Sequence, residues 1–345
     1  MPVNIYDIAR RAGVSVVTVS RVINDNPNVR AYNREKVLAA MLELDYKPNA
    51  AARSLANGRT GMIGLVLPGF GDAFMTQVME SIEAYLTTKG MFLVISAASH
   101  EFDKTIENNC IRLFREGRVD GMLILSPVKD SELILELKKK NIPFVLLDQH
   151  QSNLQFPSVT VDNFYGGYQA TMSLIRGGAK RIAHISGPDL FESSKERKDG
   201  YLKALSDNGI DYNESLLLEG DFTVAGGYDA MKRWIGQDAI PDAVFAADDN
   251  TAFGILDAAR EYDIPVPQKL SVIGYDDHPY TSLLHPCLST VKQPAEKMAR
   301  SGIDLLFSII EGKTKRMTRI TLKPAVILRD TTRTESQASN ISRLD

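Results

Sequence analysis

Two cysteines in 345 residues, Cys110 and Cys287, leave no disulfide framework and no metal-ligand spacing to read, and they suit a reducing cytoplasm. No stretch is long and apolar enough to cross a bilayer. The opening Met1-Pro-Val-Asn4 does not read as a signal sequence, so a cytoplasmic protein is expected. No phosphate loop and no nucleophile–base pairing stand out. The five histidines, His100, His150, His184, His278 and His285, show no ligand spacing, so an enzyme, a bound metal or a resident cofactor is not expected. After Arg333 the chain is polar and free of leucine heptads, which reads as a disordered tail without a coiled coil.

Net charge is also small, formally −3 from 40 Lys/Arg against 43 Asp/Glu, but its distribution is uneven. Residues 1–60 carry nine Lys/Arg against five Asp/Glu, and the rest carries 31 against 38. A basic head on an acidic body is the electrostatic footprint of a small DNA-reading module.

That head begins with two short helical patterns. Ile5, Ile8 and Ala9 line one apolar face, and Gly13 stands where a left-handed helix end belongs. Ser15 is placed to cap a second helix over Val16 to Ile23, with Val19 and Ile23 inward and Val16, Val17, Ser20 and Arg21 outward. Short side chains at a helix N-terminus permit close approach to base edges, and Arg21 can pair with a base or a phosphate. A third helix is expected from Arg34 to Leu44, capped by Asn33, with Val37, Leu38, Met41 and Leu44 as its inner stripe. Pro48 stops it. The following Asn49-Ala-Ala-Ala-Arg-Ser-Leu-Ala-Asn57 favours helix but is too short to be stable alone.

The run Ile5–Gly58, with Val-Thr-Val-Ser-Arg-Val-Ile-Asn and Tyr-Lys-Pro-Asn-Ala-Ala-Ala-Arg-Ser-Leu-Ala, resembles the DNA-binding head of the lactose-repressor/purine-repressor family of bacterial regulators. The resemblance implies a helix-turn-helix domain at 1–48 and a hinge helix and linker at 49–60. It assigns DNA contacts to Tyr6, Ser15, Val16, Val17, Thr18, Ser20, Arg21, Asn24, Ala52, Arg53 and Leu55. Leu55 holds the place of a residue that wedges into the central base step of a pseudo-palindromic operator. With no heptads in the tail, it implies a homodimer rather than a tetramer.

From Gly61 the rhythm changes to short apolar runs alternating with amphipathic stretches, the pattern of parallel sheets covered by helices on both faces. The length suits two such lobes. The resemblance continues to about Arg329 and implies two halves like those of a periplasmic sugar-binding protein. It places the first lobe at 61–161 plus 292–321, the second at 162–291 plus 322–330, and a polar tail at 331–345.

Ligands of such sheets bind at the carboxyl ends of strands, where Asp148, Asp248, Asp249, Asp276 and Asp277 stand. Asp249 is expected to cap the helix from Thr251, Asp277 to form a turn, and His184 to lie in the core. The resemblance gives effector contacts to Arg197 and Asp276, and also to Phe74, Asp148, Phe222, Asp248 and Gln293. The stretch Asp72-Ala-Phe-Met departs from the family's Asn-Pro-Phe-Phe pattern. The implied function is a repressor of a carbohydrate-utilisation operon, released by a neutral or phosphorylated sugar. Three alternatives stand beside it. A catabolite-control regulator using a phosphocarrier protein is disfavoured by Ala295 and Ile303, where a Tyr and an Arg would be needed. A purine-type corepressed regulator is the second. A plain binding module or enzyme is the third, opposed by the basic head.

Overall fold

The computed structural model describes residues 3–24, 26–47, 58–67, 69, 73–97, 111–125, 131–149, 156–314 and 318–334. The predicted hinge at 49–57, with Ala52, Arg53 and Leu55, lies outside these residues, as do Asp72, Cys110 and the tail beyond 334.

The head consists of α1 (Ile5–Ala12), α2 (Val16–Ile23) and α3 (Ala31–Glu43). Asn4 caps α1 and accepts from the Tyr6 and Asp7 amides, while Asp7 accepts the Asn4 amide in return. Gly13 ends α1 with φ at 65°. A small core of Ile8, Ala9, Ala12, Val19, Val22, Val37 and Ala40 holds the three helices together, and an Arg11–Glu43 ion pair at 2.6 Å ties α1 to α3. Two expectations need correction. Val22 is buried and Ile23 only partly so, because both i+3 and i+4 from Val19 lie near the same face of a short helix. Helix α3 starts three residues earlier than read, after Arg30 and without a side-chain cap. Of its expected inner stripe, Val37 is buried and Met41 and Leu44 pack partly buried on the head core, but Leu38 is 51% exposed and Ala40 is buried instead.

In the body, the first sheet holds β1 (Met62–Leu67), β2 (Phe92–Ala97), β3 (Gly121–Ile124), β4 (Phe144–Leu147), β5 (Ser158–Val161) and β11 (Arg319–Leu322). The second holds β6 (Ile182–Ser186), β7 (Leu217–Glu219), β8 (Ala243–Ala246), β9 (Ser271–Asp276), β10 (Ser289–Lys292) and β12 (Ala325–Ile327). Their orders are β11-β5-β4-β3-β1-β2 and β12-β10-β9-β8-β6-β7. All ladders are parallel except β10 with β12. Among the described residues, the first lobe carries α4 (Ala73–Thr88), α5 (Ser131–Lys139) and α10 (Ala295–Ile310), with a further helical stretch at 111–115. Those on the second are α6 (Asn163–Arg176), α7 (Glu192–Asp207), α8 (Val224–Gly236) and α9 (Asp249–Glu261). Each sheet is flanked by two separate apolar clusters, so the inner strands are buried on both faces and read as unbroken apolar runs.

The chain passes between lobes after β5, after β10 and after β11. Lys292 therefore belongs to the second sheet and Leu322 to the first, one residue from the boundaries read in the sequence. The expected tail also starts too early. Thr331 and Thr332 are buried in the second lobe, where the Thr331 carbonyl accepts from the Val272 amide at 2.7 Å.

Glycine brings the second lobe's helices together in pairs. A Cβ on Gly167 of α6 would collide with the Arg197 carbonyl of α7, and one on Gly200 of α7 with the Phe164 carbonyl of α6. Gly227 of α8 and Gly254 of α9 meet the Thr251 and Val224 carbonyls in the same way. Hydrogen in place of a side chain permits this backbone approach, and it fixes where α7 presents Arg197.

Candidate functional site

On the head, Ser15 caps α2 by accepting from the Thr18 amide at 3.2 Å, and its hydroxyl also meets the Thr18 hydroxyl at 2.9 Å. Val16, Thr18 and Ser20 are half-buried, and Val16 packs on the head core. Val17, Arg21 and Asn24 form the exposed face of α2, with Val17 59% exposed, and Tyr6 is exposed at the start of α1. A capped helix N-terminus with a small apolar group and a guanidinium outward is the geometry a major groove accepts.

Between the lobes, the carboxyl ends of strands gather a second set of groups around Arg197. This arginine is 4% exposed. Its Nε donates to Asn163 Oδ1 at 2.9 Å and its Nη1 to the Ala247 carbonyl at 2.6 Å. Its guanidinium lies 3.7 Å from the Tyr275 ring centroid. Burial works against its charge, but Tyr275, Asp276, Asp148 and Asp248 around it outweigh that and raise its pKa. Asp276, buried at the end of β9, accepts from Gln293 Nε2 at 2.7 Å. Gln293 Oε1 and Ser194 Oγ are buried without a hydrogen-bond partner among the described residues. Ser194 precedes Arg197 by three residues, on the same face of α7.

Glu196 extends the carboxyl cluster. Its pKa is pushed up to about 7 by burial and by Asp148, Glu192 and Asp162. Phe222 stands half-buried, edge-on to Phe191 at 5.5 Å and pressed against Gly187. Asp148, Phe222, Asp276 and Asp277 adopt positive φ of 53°, 62°, 111° and 60°. Non-glycine residues enter that region at a cost, and such strain gathers at ligand sites.

The other predicted residues fall less simply. Asp248, not Asp249, caps α9, accepting from the Thr251 amide at 3.0 Å. Asp249 is instead a buried tie. It accepts from the Thr290 hydroxyl and the His278 amide, and burial pushes its pKa up to about 8. Asp277, expected to form a turn, stands at positive φ just past β9 in a segment without regular secondary structure and binds Arg329 at 2.6 Å and Lys292 at 3.0 Å. Phe74 is packed into the first lobe's apolar cluster. His184 is core. Its Nδ1 meets the Phe245 carbonyl at 2.8 Å, its ring stacks on Phe245, and burial pulls its pKa down to about 4. Asn163, Tyr275, Ser194 and Glu196 escaped the sequence reading. The signal for Ser194 and Glu196 was their position beside Arg197 on α7. Asn163 and Tyr275 gave none, because their role depends on contacts across the fold.

Residues 4–49 match the profile of bacterial regulatory proteins of the lacI family, and residues 171–332 that of a periplasmic binding protein-like domain. The chain is 34% identical to catabolite control protein A of Priestia megaterium, across 96% of this chain and 100% of that one. It is 36% identical to the transcriptional repressor PurR of Erwinia tasmaniensis, across 94% and 95%. Among solved structures, the lac repressor dimer bound to operator and the anti-inducer ONPF matches with a TM-score of 0.86 at 29% identity, covering 96% and 99%. A complex of the regulator CelR with cellobiose matches at 0.73 and 32%, covering 95% and 99%. No described helix is long and apolar enough to cross a membrane. Full-length similarity to these regulators, a head built for a major groove and a polar cleft between two lobes agree: the chain belongs to the lacI family of bacterial regulatory proteins and is a DNA-binding transcriptional repressor with a small-molecule effector.

Proposed function

We propose that this repressor controls a carbohydrate-utilisation operon and is released from a pseudo-palindromic operator by a neutral sugar held between the lobes. The observation that supports this reading is the cleft's composition. One fixed guanidinium stands among the carboxyl groups of Asp148, Glu196, Asp248 and Asp276. Hydroxyls donate to carboxylates and accept from a guanidinium, and Phe222 offers an apolar face for ring C–H groups. A phosphate, carrying about −1.5 to −2 charges at neutral pH, would meet like charge at several points. Neutral sugars are therefore favoured over sugar phosphates. The CelR complex holds cellobiose, a neutral disaccharide. Ala295 and Ile303 are buried in the first lobe, so neither offers a docking contact for a phosphocarrier protein.

Effector binding stabilises one lobe arrangement, and the segment joining head to body then pairs poorly on DNA, a population shift between two states. The working unit is a homodimer in the cytoplasm, with Tyr6, Ser15, Val17, Arg21 and Asn24 facing the major groove and Ala52, Arg53 and Leu55 the minor groove.

A thermal-shift screen of neutral sugars, their phosphates and purine bases tests the effector class. A neutral sugar at 100 times its Kd should add about 2.7 kcal/mol of stability. Stabilisation by phosphates or purines alone would overturn the reading. Arg21→Ala should cost roughly 1–3 kcal/mol of operator affinity and reduce its salt dependence.

A further inference from the structure

The sequence offered no metal spacing, yet folding brings three ligand types together at the surface of the second lobe. We propose that His285, Cys287 and Asp330 form a site for a borderline-soft divalent metal ion of the zinc class. Asp330 is 43 residues from Cys287, and the loop before β10 and the segment after β12 make them neighbours.

One ligand atom from each residue lies within 4.8 Å of the other two. Cys287 Sγ and His285 Nδ1 are 3.6 Å apart. Zinc–sulfur and zinc–nitrogen bonds of about 2.3 and 2.0–2.1 Å at a tetrahedral angle require an edge of about 3.6 Å, so this pair already spans the right distance. The remaining edges close with a side-chain movement of roughly 1 Å, measured against the same bond lengths. His285 and Asp330 are exposed, and Asp330 can offer Oδ1 while its Oδ2 keeps the Cys287 amide.

The backbone beneath is held firmly. The Asp330 amide donates to the Cys287 carbonyl and the Cys287 amide to Asp330 Oδ2, each at 2.9 Å. The Arg329 amide and the Thr331 hydroxyl bind on either side of Ser289 at 2.7 and 2.8 Å. The nearby Arg329 guanidinium is directed away, onto the Leu288 carbonyl and Asp277. Besides His285, Cys287 Sγ has a long contact to the Ser282 carbonyl at 3.6 Å, and burial together with the Asp330 carboxylate beside it raises the thiol's pKa, an effect that a bound cation reverses. Thiolate with imidazole selects zinc over magnesium or calcium, and three protein ligands leave a fourth position for water.

The test uses the full chain, stripped with a chelator and titrated with Zn²⁺, then with Co²⁺ as a spectroscopic probe. One Zn²⁺ per chain is expected, with thiolate-to-cobalt absorption in the Co²⁺ form. Zn²⁺ should protect Cys287 from alkylation, read by peptide mass spectrometry. Cys287→Ser and His285→Ala should each weaken Zn²⁺ binding at least roughly 10-fold while circular dichroism stays unchanged, and Cys110→Ser should leave it intact. Asp330→Asn, which keeps an acceptor for the Cys287 amide, should weaken it as well. Binding that survives Cys287→Ser, is lost with Cys110→Ser, or is absent from the unaltered chain would overturn the site.

Discussion

The two lobes share one winding pattern and differ in what they bury. Each has a six-stranded sheet with the same order of strands from its first to its fifth, flanked by helices on both faces. Among the described residues, the polar side chains buried within the first sheet are those of Ser158 and Thr160. The second lobe buries His184, Ser194, Arg197, Asp248, Asp249 and Asp276. Its helices also approach at glycine, backbone against backbone, where the first lobe packs Gly302 of α10 against the side chain of Leu147. A common topology thus carries two jobs. In the proposed reading, the second lobe supplies most of the groups that recognise effector, and the more apolar first lobe adds Asp148. Gln293 stands at the crossover joining them.

The largest effect that separates the lobes should come from removing the second lobe's polar anchors. Arg197→Ala and Asp276→Ala should each cost roughly 2–4 kcal/mol of effector binding, since each leaves buried partners unsatisfied. Asp148→Asn, in the first lobe, should cost much less. Calorimetry of the three variants with one ligand checks the contrast, and equal losses would erase it.

Next comes backbone packing. Gly167→Ala places a methyl against the Arg197 carbonyl and should destabilise the second lobe by roughly 1–3 kcal/mol. Effector affinity should fall with it, because the strand of contacts runs through Arg197 itself. Chemical denaturation followed by ligand titration measures both.

A smaller effect tests the head against the body. Ser15→Ala removes the cap on α2 and should cost about 1 kcal/mol of head stability, without touching effector binding. Thermal melts with and without effector separate the two.

The smallest concerns pH. Glu196 titrates near 7 in the fold, above the ordinary 4.5 of a glutamate. The folded state therefore holds a proton that the unfolded chain has released between those values, so this residue's contribution is complete below pH 4.5 and declines as pH rises through 7. Glu196→Gln should raise Tm at pH 8 by roughly 1–3 °C, after allowing for solvent screening, and change little at pH 5. A larger gain at pH 5 than at pH 8 would contradict the assignment.

What the sequence disclosed followed the range of the forces involved. Helix α1, the Gly13 end, the Ser15 cap and the apolar strands depend on neighbours within a few residues, and all were legible. Val22 was missed because the positions three and four residues after Val19 lie about 60° and 40° to either side of it, so either can face the core. The helix cap was read one residue late, at Asp249 instead of Asp248, since adjacent aspartates offer the same chemistry until Thr290 and His278 distinguish them. Asn163, the partner of Arg197 34 residues away, had no local signal at all. Asp330 beside Cys287 had none either. These contacts arise only when β9, β10 and the helices before them are assembled.

One proposed connection is central, that the polar cleft of the second lobe governs what the head does on DNA. Fluorescence anisotropy of labelled operator, titrated with the neutral sugar found in the screen, tests it directly with the unaltered chain and Arg197→Ala side by side. Both proteins should bind operator equally without sugar, and only the unaltered chain should release it when sugar is added. Release by Arg197→Ala at the same sugar concentration would place the effector elsewhere and contradict control of the head through this cleft.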